Sequence, residues 1–377
     1  PVDDSPMRRR LKAACDHFVD IAREPDDVAA ERIRSDALDL IVDLKGYTAG
    51  ERLAILARRP CRVQLTWLGY PGTTGASFID GVIADAFVIA PGEEPDYSER
   101  ILRLPHCYQP NDRKREVDDP LPRGDYGLPA SGFVFCCFNQ TYKITPEVFA
   151  VWMRLLAAVP GSVLWLLESN ELARRNLTAA AEASGIAAER LVFAPRLPNA
   201  RHLARYRVAD LALDTFPYTS HTTLSDALWC GCPAVGLRGE TFAARVSGSL
   251  LTAAGLPELI THDLLEYERL AVRLATEPAF LQQARARTGQ AREKCLADLL
   301  DQVRPTDAAG RREFFAIRPR GIYPGSREAL PIGGIGIARL GRRSRVTARR
   351  AWPCSNERNC GGRNRGRIAF ARGPCAL

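Results

Sequence analysis

Two short stretches of the chain gather side chains that suit a bound nucleotide diphosphate. In residues 221–226, HTTLSD, a helix is predicted to begin, and a helix start directs free backbone N–H groups and a positive dipole end at an anion. The hydroxyls of Thr222 and Thr223 add donors, and His221 can donate or stack. One turn further, Asp226 shares a face with Thr222 and can accept hydrogen bonds from ribose hydroxyls. A capping box between Thr223 and Asp226 is an equally open interpretation, and it needs no ligand.

Residues 138–143, FNQTYK, supply a second group of candidates. Gln140 and Lys143 follow a predicted strand, and a lysine at that place is a mobile charge suited to a diphosphate. A solvated surface lysine is the commoner outcome for any single Lys. His202 is placed at the start of another predicted helix, where its ring either stacks on a base or merely covers the helix start. Loops that follow parallel strands emerge at one edge of the sheet, so Lys143 and the helix start at 221–226 are predicted to converge on one anion.

The sequence offers no set of metal ligands beside these groups. It contains no Asp-x-Asp pair, and Cys230-Gly-Cys232 is too closely spaced for half of a zinc site. We therefore expect a reaction without a metal or any other cofactor, in which protein groups neutralise the phosphates.

The predicted elements that carry these loops follow the order of an α/β protein. Before residue 109, the hydropathy pattern predicts helices over 11–22 and 27–38 and strands over 39–44, 63–68, 81–89 and 100–104. After residue 130, it predicts strands over 133–138, 163–167, 191–194, 211–214 and 233–237, with helices from Thr145 and over 171–184, 201–207, 222–230 and 245–254. This alternation indicates βαβ units and mainly parallel sheets, and the second series forms a Rossmann-like lobe.

The charge of the chain is divided unevenly. The net charge is +8 over 377 residues, but residues 304–377 hold 17 Arg, no Lys and four acidic residues, which leaves a net charge of −5 for residues 1–303. The whole-chain charge therefore does not indicate nucleic-acid binding, and we expect no nucleic-acid partner for the globular part; a nucleic-acid binder acting through the basic tail is a further alternative. No apolar run has the roughly 18 residues of a membrane span. Eleven cysteines without a regular framework indicate free thiols and a cytoplasmic location.

Three segments resemble one family. FNQTYKITP at 138–146, LDTFPYTSHTTLSDALWCGCPAV at 213–235 and WLGYPGTTGASFID at 67–80 are similar to the catalytic region of the protein O-linked N-acetylglucosamine transferases and the related SPINDLY-type O-fucosyltransferases. The resemblance covers roughly residues 1–300. It implies a GT-B fold, in which two Rossmann-like lobes hold UDP-N-acetylglucosamine (UDP-GlcNAc) mainly through the second lobe.

The resemblance also implies roles for particular residues. The residues that would contact the nucleotide or its phosphates are Gln140, Lys143, His221, Thr222, Thr223 and Asp226. His202 would lie against the uracil. The loop formed by Gly72, Thr73, Thr74 and Gly75 would approach the sugar from the first lobe.

The activity implied is an inverting transfer of GlcNAc from UDP-GlcNAc to Ser or Thr hydroxyls of protein or peptide acceptors. Lys143 would stabilise the charge that develops on the β-phosphate as UDP leaves. A protein O-fucosyltransferase using GDP-fucose and an inactive fragment that only binds nucleotide are the alternatives.

The family pattern predicts four regions. These are a partial first lobe over 1–108, a linker over 109–130, a nucleotide-sugar-binding lobe over 131–303, and a basic tail over 304–377 that is disordered or translated out of frame. The opening strands of the family's first lobe have no counterpart here, and the tetratricopeptide repeats usual before them are not seen, so the chain is expected to be a fragment with an incomplete first lobe.

Overall fold

Two parallel β-sheets organise the computed structural model, which describes residues 4–112 and 114–294. The expected tail over 304–377 and the end of the second lobe over 295–303 lie outside the described residues. The four region boundaries therefore stay predictions.

The first sheet belongs to the N-terminal part of the chain. Its strands are β1 (Leu40–Asp43), β2 (Val63–Trp67), β3 (Gly81–Asp85) and β4 (Arg100–Leu104), paired in parallel in the order β1-β2-β3-β4. The helices of this part are α1 (Pro6–Ala13), α2 (Asp26–Ser35) and α3 (Leu53–Ala57). All four predicted strands are confirmed: β4 has the predicted ends, and no end of the other three differs by more than four residues.

The predicted helix over 11–22 is wrong. The helix in this region, α1, begins after the Ser5 N-cap and ends at Ala13. The apolar residues that produced the helical spacing do not face a core, since Phe18 is 46 % exposed and Val19 is 43 % exposed. Periodicity without burial gives a helix little tertiary support.

The second sheet has the strand order of a dinucleotide-binding domain. Its strands are β5 (Val134–Cys137), β6 (Val163–Leu167), β7 (Leu191–Ala194), β8 (Leu211–Leu213), β9 (Ala234–Leu237) and β10 (Ile260–Thr261), all parallel, in the order β10-β9-β8-β5-β6-β7. The helices are α4 (Pro146–Ala158), α5 (Glu171–Ala183), α6 (Asn199–Arg205), α7 (Thr222–Trp229), α8 (Val246–Ala253), α9 (Leu264–Thr276) and α10 (Pro278–Lys294). Counted from β5, this is the 3-2-1-4-5-6 arrangement, whose direction reverses between β5 and β8. The expected Rossmann-like lobe is confirmed.

The sequence explains why these strands lie at the centre. Every residue of β5, β6 and β9 is buried, as expected for a parallel sheet covered by helices on both faces. Helix α4 begins where predicted, because the Thr145 hydroxyl accepts a hydrogen bond from the Val148 amide at 3.3 Å and Pro146 occupies the first turn.

Polar contacts join the two lobes. The Ser249 hydroxyl on α8 donates to Asp85 Oδ2 at 2.6 Å, and Asp85 at the end of β3 is completely buried. Arg245 pairs with Glu93 at 2.6 Å. Gly248 allows the Phe87 ring of the first lobe to approach α8 more closely than a Cβ would permit. These contacts fix the carboxyl ends of the two sheets relative to each other.

Candidate functional site

The two stretches that the sequence singled out meet at the carboxyl edge of the second sheet. One follows β5 and the other follows β8, and these neighbouring strands flank the point where the strand order reverses. The Thr223 hydroxyl donates to Asn139 Oδ1 at 2.7 Å, and Asn139 Nδ2 donates to Ser220 Oγ at 2.5 Å. Ligands of open α/β sheets bind at such a reversal point. The two loops therefore lie in contact at one edge of the sheet, and their convergence on one anion stays a prediction.

Lys143 is held inside this site. It ends the short 3-10 turn Thr141–Lys143, and its Nζ donates to the Thr219 carbonyl at 2.9 Å. The ammonium also lies 3.9 Å from the centre of the Tyr218 ring, a cation–π distance. Burial lowers the pKa of Lys143 to about 8, although the charge of Asp214 opposes the shift. Lys143 is thus a positioned cation at neutral pH, and the alternative of a solvated surface lysine is wrong.

His221 lies beside the same tyrosine. Its ring stacks on Tyr218, with the ring centres 5.1 Å apart and the planes inclined by 26°. Burial, and then the charge of Lys143, lower the pKa of His221 to about 3, so the imidazole is neutral at physiological pH. Within the described part of the chain, its buried Nε2 has no hydrogen-bond partner. A buried polar atom without a partner is rare in proteins, which makes this nitrogen a candidate for contact with a bound ligand.

The first turn of α7 is open as well. His221 is the N-cap residue, and no side chain of the described residues caps the turn. Thr222 is exposed, whereas the Thr223 hydroxyl is engaged by Asn139. Thr223 and Asp226 do not form a capping box, because Thr223 bonds across the sheet edge and Asp226 bonds to Arg115. The backbone N–H groups of this turn remain available to an anion.

Asp226 is paired with a residue that the sequence did not single out. Its Oδ1 accepts a hydrogen bond from Arg115 Nη1 at 2.7 Å, and its Oδ2 lies 4.0 Å from His202 Nε2. Burial raises the pKa of Asp226 to about 6, while Arg115 acts to lower it. Arg115 belongs to the segment interpreted as a linker, and its pairing across 111 positions leaves no local signal in the sequence.

His202 lies on the wall of the site and not at a helix start. Helix α6 begins at Asn199, so His202 is its fourth residue, which corrects the prediction. Arg205 Nε donates to His202 Nδ1 at 2.9 Å, which leaves the neutral-ring proton on Nε2. Burial and the nearby Arg205 lower the pKa of His202 to about 4. The ring also contacts Phe138 and Tyr206, with centres 5.7 and 5.5 Å away.

Two further residues shape the floor and the rim. Asp214 directly follows β8. Its carboxylate accepts hydrogen bonds from the Ser220 and Thr215 amides at 2.6 and 2.9 Å, and these bonds hold the loop after β8 in place. Burial raises the pKa of Asp214 to about 6. At the rim, Gln140 Oε1 accepts a hydrogen bond from Arg196 at 3.3 Å. The sequence analysis did not single out Asp214, and the signal that could have found it is an acidic residue at the end of the predicted strand over 211–214.

The first-lobe loop is organised by a carboxylate of its own lobe. Thr73 Oγ1 donates to Glu99 Oε2 at 2.6 Å, and the Thr74 amide donates to Glu99 Oε1 at 2.5 Å. Gly75 takes a positive φ of 63°, which suits glycine, and Gly72 packs near the Tyr70 ring. Among residues 4–112 and 114–294, no hydrogen bond joins this loop to the second-lobe groups named above.

Tyr70, two positions before this loop, acts electrostatically on a residue of the second-lobe site. Burial, and then Tyr142 and Tyr70, raise the pKa of Tyr218, so the phenol of Tyr70 in the first lobe is close enough to act on Tyr218 in the second. Tyr70 directly precedes Pro71 and the Gly72 loop. The contact between the loop at 72–75 and the sugar stays a prediction, as do the ligand contacts of all the residues named above.

Other features of the described residues concern metals, membranes and thiols. Within that part of the chain, no three His, Cys, Asp or Glu side chains are grouped as a metal site would require. No helix there has the length and apolar character needed to cross a bilayer. Cys136, Cys137 and Cys232 are buried free thiols, and Cys230 is a half-buried one.

Comparison with known proteins identifies relatives along most of the chain. The probable UDP-N-acetylglucosamine–peptide N-acetylglucosaminyltransferase SEC of Arabidopsis thaliana is 39 % identical over 287 residues, covering 74 % of this chain and 29 % of the relative. The probable transferase of the same activity named SPINDLY in Petunia hybrida is 37 % identical over 261 residues, covering 67 % and 27 %. The chain thus spans less than a third of the length of these relatives. The expected tetratricopeptide repeats and the status of a fragment stay predictions.

Solved structures give the fold. A mutant of the O-GlcNAc transferase of Thermobaculum terrenum superposes with a TM-score of 0.73 at 34 % identity, covering 80 % of this chain and 57 % of that one. Sucrose-phosphate synthase of Thermosynechococcus elongatus matches with a TM-score of 0.53 at 14 % identity, covering 72 % and 73 %, which speaks for the fold alone. The α/β architecture is that of the GT-B glycosyltransferases, as expected.

The match to a family model is nearly continuous. The model described as glycosyl transferase family 41 matches residues 1–119 and 121–303, which include both sheets and every loop of the site. The chain belongs to glycosyl transferase family 41.

Proposed function

We propose that this chain binds UDP-GlcNAc and that the protein it belongs to transfers GlcNAc to Ser or Thr hydroxyls of proteins or peptides. The observation that carries the proposal is the meeting of Lys143, the neutral ring of His221 and the uncapped start of α7 at the reversal point of the second sheet. The names of the SEC and SPINDLY relatives support the donor and the acceptor class.

The reaction proposed is a single displacement with inversion. The acceptor hydroxyl oxygen attacks the anomeric carbon and loses its proton to solvent, the bond from that carbon to the β-phosphate oxygen breaks, and UDP leaves with the developing negative charge. Lys143 and the N–H groups of the first turn of α7 are positioned to stabilise that charge. Donors held in place before the reaction need no reorganisation, which makes such stabilisation a large term in catalysis.

The remaining residues of the site are assigned to parts of the donor. Gln140, Thr222 and Thr223 contact the phosphates, and the Nε2–H edge of His202 faces the uracil. Asp226 accepts a hydrogen bond from the ribose. Gly72, Thr73, Thr74 and Gly75 present the first-lobe wall to the sugar.

The base of the donor is the point at which the chief alternative differs. A protein O-fucosyltransferase would use GDP-fucose at the same place. The SPINDLY relatives in petunia and Arabidopsis both carry the name of UDP-GlcNAc transferases, which favours uridine.

A titration and a transfer assay test the proposal together. We expect calorimetry to detect UDP binding and much weaker GDP binding. We also expect the protein to which this chain belongs to pass labelled GlcNAc from UDP-GlcNAc to a Ser/Thr peptide at a rate that EDTA leaves unchanged. Tighter binding of GDP than of UDP contradicts the donor assignment. UDP binding without transfer supports the alternative of a chain that only binds nucleotide, and a loss of rate with EDTA contradicts the proposed metal independence.

We also propose a cytoplasmic location. The seven cysteines that the described residues contain are free thiols, which suits a reducing compartment. Fractionation of cells that express the protein checks this, and recovery in a secreted fraction contradicts it.

A further inference from the structure

The segment between the two sheets carries Arg115 into the wall of the nucleotide site. Its guanidinium donates to Asp226 at 2.7 Å and lies 4.6 Å from the centre of the Trp229 ring. Both partners belong to α7, the helix whose start faces the expected phosphates. The ion pair is largely buried, with 12 % of the Arg115 side chain and 8 % of the Asp226 side chain exposed.

Stability alone is a weak reason for such a pair. Removing two charges from water costs free energy that their attraction often fails to recover. The geometry of the pair, in contrast, leaves the carboxylate available to a ligand. Arg115 occupies Oδ1 of Asp226, and an ionised carboxylate has about four acceptor positions in all. The second oxygen, Oδ2, remains on the side of His202.

The residues just before Arg115 contact two helices, α7 and α1. The Ser225 hydroxyl on α7 donates a hydrogen bond to Asn111 Oδ1. Asp112 accepts two hydrogen bonds from Arg10 of α1, at 2.6 and 2.7 Å. Arg115 is therefore a fixed point against which the Asp226 carboxylate is oriented.

We propose that Arg115 is a positioning residue for ribose recognition, which holds Asp226 so that Oδ2 accepts a hydrogen bond from a ribose hydroxyl. This inference rests on the proposed nucleotide site. It makes the segment at 109–130 a part of that site, in addition to its place as the connection between the sheets.

The test compares UDP with 2′,3′-dideoxy-UDP, which lacks the ribose hydroxyls. Calorimetry of the wild-type chain should show tighter binding of UDP by about 10-fold to 100-fold, the range of one hydrogen bond to a charged group. In Arg115→Met, which keeps an unbranched apolar stem on Trp229, this ratio should fall towards one while the affinity for the dideoxy nucleotide stays unchanged.

Arg123→Met is the matched control. Arg123 lies on the same segment and also pairs with the second lobe, through Asp210 at 3.1 Å, but its hydrogen bonds within the described residues go to Asp210 and the Gly132 carbonyl and not to α7. Arg123→Met should keep the wild-type ratio of the affinity for UDP to the affinity for the dideoxy nucleotide. In a double-mutant cycle, adding Arg115→Met to Asp226→Asn should cause no further loss of the ratio.

The outcomes separate this inference from the proposed function. If wild type prefers UDP and Arg115→Met keeps that preference, or loses affinity equally for both nucleotides, the positioning role is overturned and the nucleotide site stands. If wild type binds both nucleotides equally, the ribose contact of Asp226 is wrong and the inference fails with it. If no UDP binds at all, the proposed function itself is overturned.

Discussion

Each lobe presents a Thr-Thr pair at the carboxyl edge of its parallel sheet, yet the two pairs are used differently. In the first lobe, Thr73 and Thr74 both donate to Glu99, which is 3 % exposed. In the second lobe, Thr222 is exposed, and the Thr223 hydroxyl donates a hydrogen bond to Asn139 in the loop after the neighbouring strand β5. The same two residue types therefore give a closed loop in one lobe and, in the other, an open helix start that we propose as an anion site.

The charge beneath each pair explains the difference. Burial acts to raise the pKa of Glu99, but the hydrogen bonds from Thr73 and Thr74 outweigh it and bring the pKa below its ordinary value. The first loop thus rests on a negative charge and disfavours phosphate. The second rests beside Lys143, whose ammonium remains charged at neutral pH. Hydroxyl donors thus indicate a phosphate site only when the neighbouring charge is positive.

The largest effect is expected from removing that cation. Lys143→Ala should lower turnover by about 100-fold to 1,000-fold, as does the loss of one preorganised donor to a developing charge elsewhere. UDP affinity should fall far less, because the charge on the β-phosphate grows as the bond breaks. Steady-state transfer kinetics and calorimetry measure the two quantities.

Lys45→Ala is the control for this change. Lys45 of the first lobe also donates to a backbone carbonyl, that of Ala49 at 2.7 Å, but it lies at an exposed position. It should leave both quantities unchanged. Equal losses of turnover and UDP affinity in Lys143→Ala would reject its role in the transition state.

The first-lobe carboxylate should matter for stability and not for the nucleotide. Glu99→Ala leaves the donors of Thr73 and Thr74 without their acceptor, so the free energy of unfolding should fall by about 1–3 kcal/mol. Denaturant unfolding measures this, and Glu94→Ala, which removes an exposed pair with Arg103, should change it by no more than about 1 kcal/mol. Substantially weaker UDP binding by Glu99→Ala would contradict the assignment of a structural role to the first-lobe loop and of nucleotide binding to the second lobe.

The pH dependence of transfer should follow Lys143. Its charged form is needed, is present below a pKa of about 8, and is lost as the pH rises through that value. The value of kcat/KM should then decline by about tenfold for each pH unit well above 8, since this parameter reports groups of the free enzyme. The residual rate of Lys143→Ala should lack this decline, and a decline that persists in the variant points to another group.

The smallest effects should come from the two threonine pairs. Thr223→Val removes the hydrogen bond to Asn139 and should weaken UDP binding by about 0.5–1.5 kcal/mol. Thr74→Val should lower the free energy of unfolding by a similar amount and leave UDP binding unchanged. Calorimetry and denaturant unfolding of both variants check the contrast, which fails if either variant shows the other's phenotype.

The sequence predicted the elements of the second lobe well because each one is locally encoded. Buried strands such as β6 are continuous apolar runs, and α4 has its own N-cap and proline. Strand β10 was missed because two residues carry no period. The meeting of the two loops was predictable as well, since parallel strands share an edge.

Long-range partners could not be predicted in the same way. Glu99, which binds Thr73 and Thr74, lies 25 positions beyond Thr74, and Arg115 lies 111 positions before Asp226. Nothing in the local pattern marks either residue among the many charged side chains. These pairings depend on how the completed sheets bring distant loops together.

We propose above all that the phosphates of the nucleotide bind to the second lobe and not to the loop at 72–75. Hydrogen–deuterium exchange with and without saturating UDP tests it most directly, because the claim assigns free backbone N–H groups to the phosphates. UDP should slow exchange in peptides covering 138–143 and 221–230 and leave peptides covering 69–80 unchanged. Protection confined to 69–80, or no protection at 221–230, would contradict the account.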